Sequence, residues 1–189
     1  MDVGLVASII SLAAARRPTV GAAVVAIDGP SGAGKTTLAA ALAEELESST
    51  GVRPPTIATD DMCGGWDGLP QVPDALARGV LGPMAAGQPG CYRRFDWVAY
   101  GWAPGQVIVP PARWLIVEGV AAGARAGAAY LATIVWLEAD RDVRRRRGLG
   151  RPDAEFAVNW DRWAGHEARH FDAERTRERA DLVLDTTTG

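Results

Sequence analysis

The chain of 189 residues contains a single lysine, Lys35, against nineteen arginines. It has two cysteines, two histidines and no surplus of positive charge: 20 basic residues face 23 acidic ones, for a formal net charge of −3. Each scarcity removes a class of function. Without a basic surplus the electrostatic footprint of a general nucleic-acid binder is missing, so no nucleic-acid partner is expected. Cys63 and Cys91 lie far apart and outside any C-x-x-C spacing, which argues against a disulfide framework or a zinc site and fits a reducing compartment. His166 and His170 have the i, i+4 spacing of a helical metal pair but no evident third ligand, and read as surface or packing residues. Long apolar runs are also scarce. The stretch "GLVASIISLAAA" (4–15) is too short to span a bilayer, follows Asp2 rather than basic residues, and precedes Arg-Arg-Pro without a small-residue cleavage site. It reads as a packed helix with Leu5, Ile9 and Leu12 on one face. No membrane partner is expected, the expected location is the cytoplasm, and a homo-oligomer stays open.

At 48% hydrophobic residues the chain is long enough for one well-filled core and short for two, so one domain over 1–189 is expected. Apolar, β-branched runs recur at 22–28, 55–59, 113–119, 132–139 and 180–185, with the length of buried parallel strands. Helical stretches lie between them at 35–46, 140–147 and about 153–179. The alternation predicts an α/β fold, a five-stranded parallel sheet flanked by helices. One segment breaks the pattern. From 62 to 111 the chain is rich in Gly, Pro and aromatics, with a short helix expected near 72–78. A stretch this irregular inside a compact domain is usually functional. Trp66, Trp97 and Trp102 lie within it, either as a satellite hydrophobic cluster or as a wall that stacks a planar ligand.

The lone lysine sits in "VVAIDGPSGAGKTT". Residues 29–36 match G-x-x-x-x-G-K-[ST] in full, after a strand and at the start of a helix, as this phosphate-binding motif requires. The glycines let the backbone curl so that successive N–H groups converge on phosphate oxygens. Gly29, Ser31, Gly32, Ala33, Gly34, Lys35, Thr36 and Thr37 are thus the expected cradle for ATP or GTP, aided by the helix N-terminus. Lys35 offers a compact ammonium to the β- and γ-phosphates, where a bulkier, rigid guanidinium would not substitute freely. The Thr36 hydroxyl suits Mg²⁺.

Ligands of open α/β sheets bind at the carboxyl ends of strands. There the sequence places Asp60 and Asp61 after one strand and Glu118 at the end of another. For phosphoryl transfer to a hydroxyl, one carboxylate takes the acceptor's proton and others hold the metal or its waters. Thr36, Asp60 and Glu118 are the candidate metal ligands. In "DRDVRRRRGLGR" (140–151), Arg144 and Arg147 share a helical face and Arg151 follows, a set able to close over a triphosphate as a lid (140–153). Phe156, Trp160 and Trp163, with Ala164, Ala168 and Phe171 nearby, form the core stripe of the long helix.

Taken together, "IDGPSGAGKTT", "TDDM", "FDWVAY", "LIVEG" and "LEADRDVRRRR" resemble the uridine kinase and uridine kinase-like branch of the P-loop kinases, over residues 22–185. The resemblance implies the P-loop NTPase three-layer fold and ATP- and Mg²⁺-dependent phosphorylation of a small hydroxyl acceptor, most plausibly a nucleoside. Alternatives are a nucleoside monophosphate, a non-nucleoside alcohol, or slow ATP hydrolysis with no acceptor. It implies Asp60 as the base, with Asp61 beside it, Glu118 near metal and acceptor sugar, and Arg144, Arg147 and Arg151 as lid arginines. It also implies an acceptor pocket of Phe95, Asp96, Trp97 and Tyr100, in which Asp96 binds ribose hydroxyls. The chain departs from the branch where Phe95 replaces a tyrosine, Tyr100 replaces a base-reading histidine, and Met62-Cys63 replace an aromatic pair. Those exchanges remove groups that read a pyrimidine's polar edge and predict a changed acceptor.

Overall fold

The computed structural model describes residues 3–18, 21–150 and 154–188. The chain runs α1 (Val3–Ala15), β1 (Ala23–Asp28), α2 (Lys35–Thr50) and β2 (Thr56–Ala58). The irregular segment follows, with α3 (Val72–Leu76), a widened π-type turn through Ala77–Leu81, α4 (Gly82–Ala85), and the short strands β3 (Gly90–Tyr92), β4 (Phe95–Asp96), β5 (Gly101–Trp102) and β6 (Val107–Val109). The remainder is β7 (Trp114–Glu118), β8 (Leu131–Glu138), α5 (Arg141–Leu149), α6 (Ala154–Glu174), α7 (Thr176–Arg179) and β9 (Leu182–Asp185).

Each of the five apolar runs becomes a strand of one parallel sheet, in the order β2-β7-β1-β8-β9. The central strand β1 is buried on both faces, which is why its sequence shows no polar alternation. Its Ala23, Val25 and Ile27 pack with Leu38, Leu42 and Leu46 of α2 and Val6, Ile9 and Ala13 of α1. Val24 and Ala26 point the other way, into a cluster that includes Trp66, Leu76, Leu81 and Trp163. Each fully buried leucine or isoleucine contributes about 1.5–3 kcal/mol, so the two layers hold the ends of β1, β2 and β7 in fixed register. The phosphate loop leaves the carboxyl end of β1.

Three local expectations shift. The buried face of α1 is centred on Val6, Ile9 and Ala13, with Leu5 and Leu12 half-buried at its margins. The short helix near 72–78 continues to Ala85, because Gly82-Pro83 is absorbed by the widened turn and Pro83 falls in the first turn of α4, where no N–H is needed. The long C-terminal helix breaks at Arg175, whose φ of 53° is left-handed, and buried Thr176 begins α7.

Candidate active site

The loop's shape is enforced by its surroundings. Gly29 (φ 138°) and Gly32 (φ 80°) adopt backbone that side chains rarely tolerate. A Cβ on Gly29 would fall 2.0 Å from the Leu137 carbonyl oxygen, and one on Gly32 would fall 2.4 Å from that of Arg144. Lys35, only 8% exposed, folds its Nζ onto the carbonyl oxygens of Gly29 (2.8 Å) and Pro30 (3.1 Å). Its neighbours Thr36 and Thr37 are exposed at the start of α2. The Thr36 hydroxyl donates to Glu118 Oε1 at 3.1 Å, joining the end of β7 to the loop. A hydroxyl and a carboxylate oxygen are the hard donors that Mg²⁺ takes.

Two carboxylates at the loop escaped the sequence reading. Asp28 is fully buried at the end of β1 and accepts N–H bonds from Gly29 (2.7 Å), Gly123 (2.9 Å) and Ala121 (3.1 Å). Burial pushes its carboxyl up to about 6, against the pull of those bonds and of the Lys35 ammonium. Glu167, on α6 and likewise buried, accepts from Ser31 N at 2.8 Å and from Trp163 Nε1 at 2.8 Å. The available signals were Asp28 as the sole charge in "AAVVAID" and Glu167 at i+4 from Trp163 on the apolar stripe. The stripe itself holds for Trp160 and Trp163, whereas Ala168 is exposed and the Phe156 side chain and Arg151 lie outside the described residues.

Arg144 and Arg147 do share a face, and it is the one against the loop, while Arg145 and Arg146 point to solvent. Arg144 donates to the Ser31 carbonyl (3.2 Å) and Arg147 to that of Gly32 (3.4 Å) and to Thr186 O (2.7 Å). Thr186 in turn donates to the Ala33 carbonyl at 2.9 Å. The arginines thus brace the loop through its carbonyl oxygens, the groups turned away from an anion that binds its N–H groups.

Across the sheet edge, Thr59–Met62 form one tight helical turn after β2. Asp60 is exposed, and its carbonyl accepts from Trp97 Nε1 at 3.1 Å. Asp61 is half-buried and accepts from the Tyr92 hydroxyl at 3.4 Å. Desolvation raises the Asp61 carboxyl above its ordinary range and, with the neighbouring Asp61 charge, pushes the Tyr92 phenol up to about 12. Phe95 is a buried hub, meeting Trp97, Trp102 and Tyr100 edge-to-face at 5.2, 5.4 and 5.5 Å between ring centres. Asp96 spends Oδ1 on the N–H groups of Ala99 and Val98, and those two bonds hold its carboxyl below the usual range.

The tryptophans of this segment divide between a packed row and an open edge. Trp163, Trp66 and Trp97 stand edge-to-face in a row, 6.2 and 5.0 Å apart, with Trp163 Nε1 on Ser31 Oγ at one end and Trp97 on Asp60 at the other. Trp102 and Tyr100 keep 42% and 53% of their surface open. Next to them lies a cavity of about 670 Å³, lined by Met62, Gln71, Arg78, Tyr92, Arg93 and Trp102 among others. His166 pairs with Asp67 at 3.0 Å, and His170 packs on the Phe171 ring. Among the described residues no helix is long and apolar enough to cross a membrane.

No protein-family model and no curated protein matches this chain. Solved structures do. A possible uridine kinase from Bacillus stearothermophilus superposes with a TM-score of 0.67 at 20% identity, over 96% of this chain and 100% of the other. D-glycerate 3-kinase from Cryptococcus neoformans superposes with a TM-score of 0.66 at 14% identity, over 98% and 97%. The likeness establishes the fold, the α/β fold of these P-loop kinases.

Proposed function

We propose that this chain is a phosphotransferase that moves the γ-phosphoryl group of ATP, or GTP, to a hydroxyl of a small molecule, a nucleoside in the first instance. The observation that carries the reading is the completed loop, with buried Lys35 against its entering limb, Thr36 bonded to Glu118, and the Asp60 turn tied to the same centre through the tryptophan row. In this reading 1–189 form one cytoplasmic kinase domain, with 62–111 as its acceptor module and 140–153 as its lid.

The backbone N–H groups of 29–37 bind the phosphates, and Lys35 neutralises charge that builds on the transferring group. Thr36 and Glu118, with Asp60 near them, would hold Mg²⁺, which when bound screens the β- and γ-oxygens. Asp60, exposed and with no side-chain donor on its carboxylate among the described residues, takes the proton of the acceptor hydroxyl. That oxygen forms the new bond to the γ-phosphorus as the bond to the ADP oxygen breaks. Asp61 is instead committed to Tyr92. Arg144 and Arg147 support transfer by fixing the loop, and Arg151 completes the lid.

A second reading is favoured by the cavity beside Trp102. Arg93 stacks on the Trp102 ring, 5.0 Å from its centre, and Arg78 lines the same wall. Phe95 is buried and Asp96 Oδ1 is occupied, so two of the residues matched to a pyrimidine pocket are already engaged within the protein. An acceptor that already carries phosphate, such as a nucleoside monophosphate, suits those arginines better than a neutral nucleoside does. Measuring ATP consumption with nucleosides, nucleotides and non-nucleoside alcohols, with products weighed by mass spectrometry, separates the readings. A panel in which no acceptor raises turnover above the water background would replace both with an ATP-binding protein of slow hydrolysis.

A further inference from the structure

Phosphate chemistry does not call for a carboxylate at Glu167. The side chain is 3% exposed, and both its hydrogen-bond donors, Ser31 N and Trp163 Nε1, are neutral. No ion pair reaches it among the described residues. Burying an unpaired carboxylate costs several kcal/mol against an apolar residue, yet this one is set on a loop whose purpose is to attract anions.

Lys35 shows where along the loop it sits. The lysine of this motif serves the β- and γ-phosphates, and its Nζ lies against the carbonyls of Gly29 and Pro30. The terminal phosphate therefore belongs beside the entering limb, 29–31. The Ser31 N–H is the next donor on that limb, and Glu167 holds it. Arg144 and Trp163 grip the same residue through its carbonyl and hydroxyl oxygens, at 3.2 and 2.9 Å. A cleft of about 770 Å³, lined by Pro30, Arg144, Trp160 and Phe171 among others, also reaches Glu167 and gives its carboxylate room to turn away.

From this geometry we infer that Glu167 is a built-in anion that competes with the terminal phosphate of a nucleoside triphosphate for the Ser31 end of the loop. It thereby sets the loop's preference between triphosphate and diphosphate. The inference rests on the nucleotide reading of the loop and needs no acceptor. A triphosphate brings its last charge within a few ångströms of the carboxylate and repels it, loosening the Trp163–Glu167 segment of α6. A diphosphate, one phosphoryl group shorter, leaves that segment in place. Product is thus held more firmly, relative to substrate, than the cradle alone would hold it.

Calorimetric titration with AMP-PNP and with ADP, each with Mg²⁺, tests this on the wild type, Glu167→Gln and Trp163→Phe. Glutamine keeps an acceptor for Ser31 N and removes the charge. Glu167→Gln should bind AMP-PNP about tenfold more tightly and change ADP by less than about twofold. Trp163→Phe keeps the carboxylate and should keep the wild-type ratio. Equal shifts for both nucleotides in Glu167→Gln, or none, would overturn the inference, the equal shift marking a purely structural residue. Hydrogen exchange of the wild type adds a readout that needs no variant: AMP-PNP should speed exchange over 163–170 and ADP should not, and identical exchange with both also overturns it. A wild type that binds neither nucleotide removes the nucleotide reading itself.

Discussion

The two sides of the candidate site are built by different means. On the side proposed for the phosphates Asp28, Lys35, Glu118 and Glu167 are each less than a tenth exposed, and the groups proposed to bind the anion are backbone N–H groups. On the side proposed for the acceptor the surface is made of side chains: Asp60 on one helical turn, Trp102 on a two-residue strand, and Arg93 and Tyr100 in the loops beside such strands. The difference fits what each side is proposed to recognise. Every nucleotide presents the same phosphates, so a backbone curl of one design serves them all. An acceptor is distinguished by shape and polar edges, which only side chains can match.

The contrast is most exposed at Lys35. Lys35→Ala should abolish transfer, with a loss of about 10³-fold or more, and Lys35→Arg should fall nearly as far although it keeps the charge. Steady-state turnover of the two variants checks this, and near-normal activity in the arginine variant would show that charge alone, not the fit of a compact ammonium, matters on the phosphate side. Asp60→Asn should cost about 10²-fold in kcat while nucleotide affinity stays within a factor of about two. Asp61→Asn should do less, because Asp61 serves Tyr92; the opposite ranking would exchange their roles.

A smaller effect concerns stability. Asp28 titrates at about 6 when folded, against 3.8 otherwise. With the folded value raised, the stabilising protonated form is fully present below about pH 4 and lost as pH rises through 6, a change of about 3 kcal/mol. Asp28→Asn lacks that titration. The unfolding free energy of the wild type minus that of the variant, from denaturant melts, should therefore decline by about this much between pH 4 and pH 7. A flat difference would mean that the phosphate side carries no burial cost there.

The same division explains what could be read in advance. The sheet was legible because each strand is a continuous apolar run, and the loop because its chemistry fixes residue types at fixed offsets. Asp28 and Glu167 were harder to see. One looks like the polar end of a strand, and the other shares a helical face with tryptophans, where composition predicts packing. Phe95, Asp96 and Tyr100 were found as a motif, yet their roles turn on which rings meet and where an Asp finds N–H groups, and no spacing rule encodes that. Arg144 and Arg147 were placed on the correct face, but whether that face meets a ligand or the loop's own carbonyls depends on how α5 seats against 29–33.

The grip on Ser31, Gly32 and Ala33 has a consequence for how the chain is made. Their partners are Arg144, Arg147, Trp163, Glu167 and Thr186, all from the last third of the sequence. A ribosome that has made residues up to 50 has produced the entire motif and none of these five partners. The central strand β1 likewise waits for both its neighbours, β7 and β8. The loop is therefore made well before the segments that hold it, and a nascent chain acquires its phosphate-binding shape only after residues 144–186 have followed.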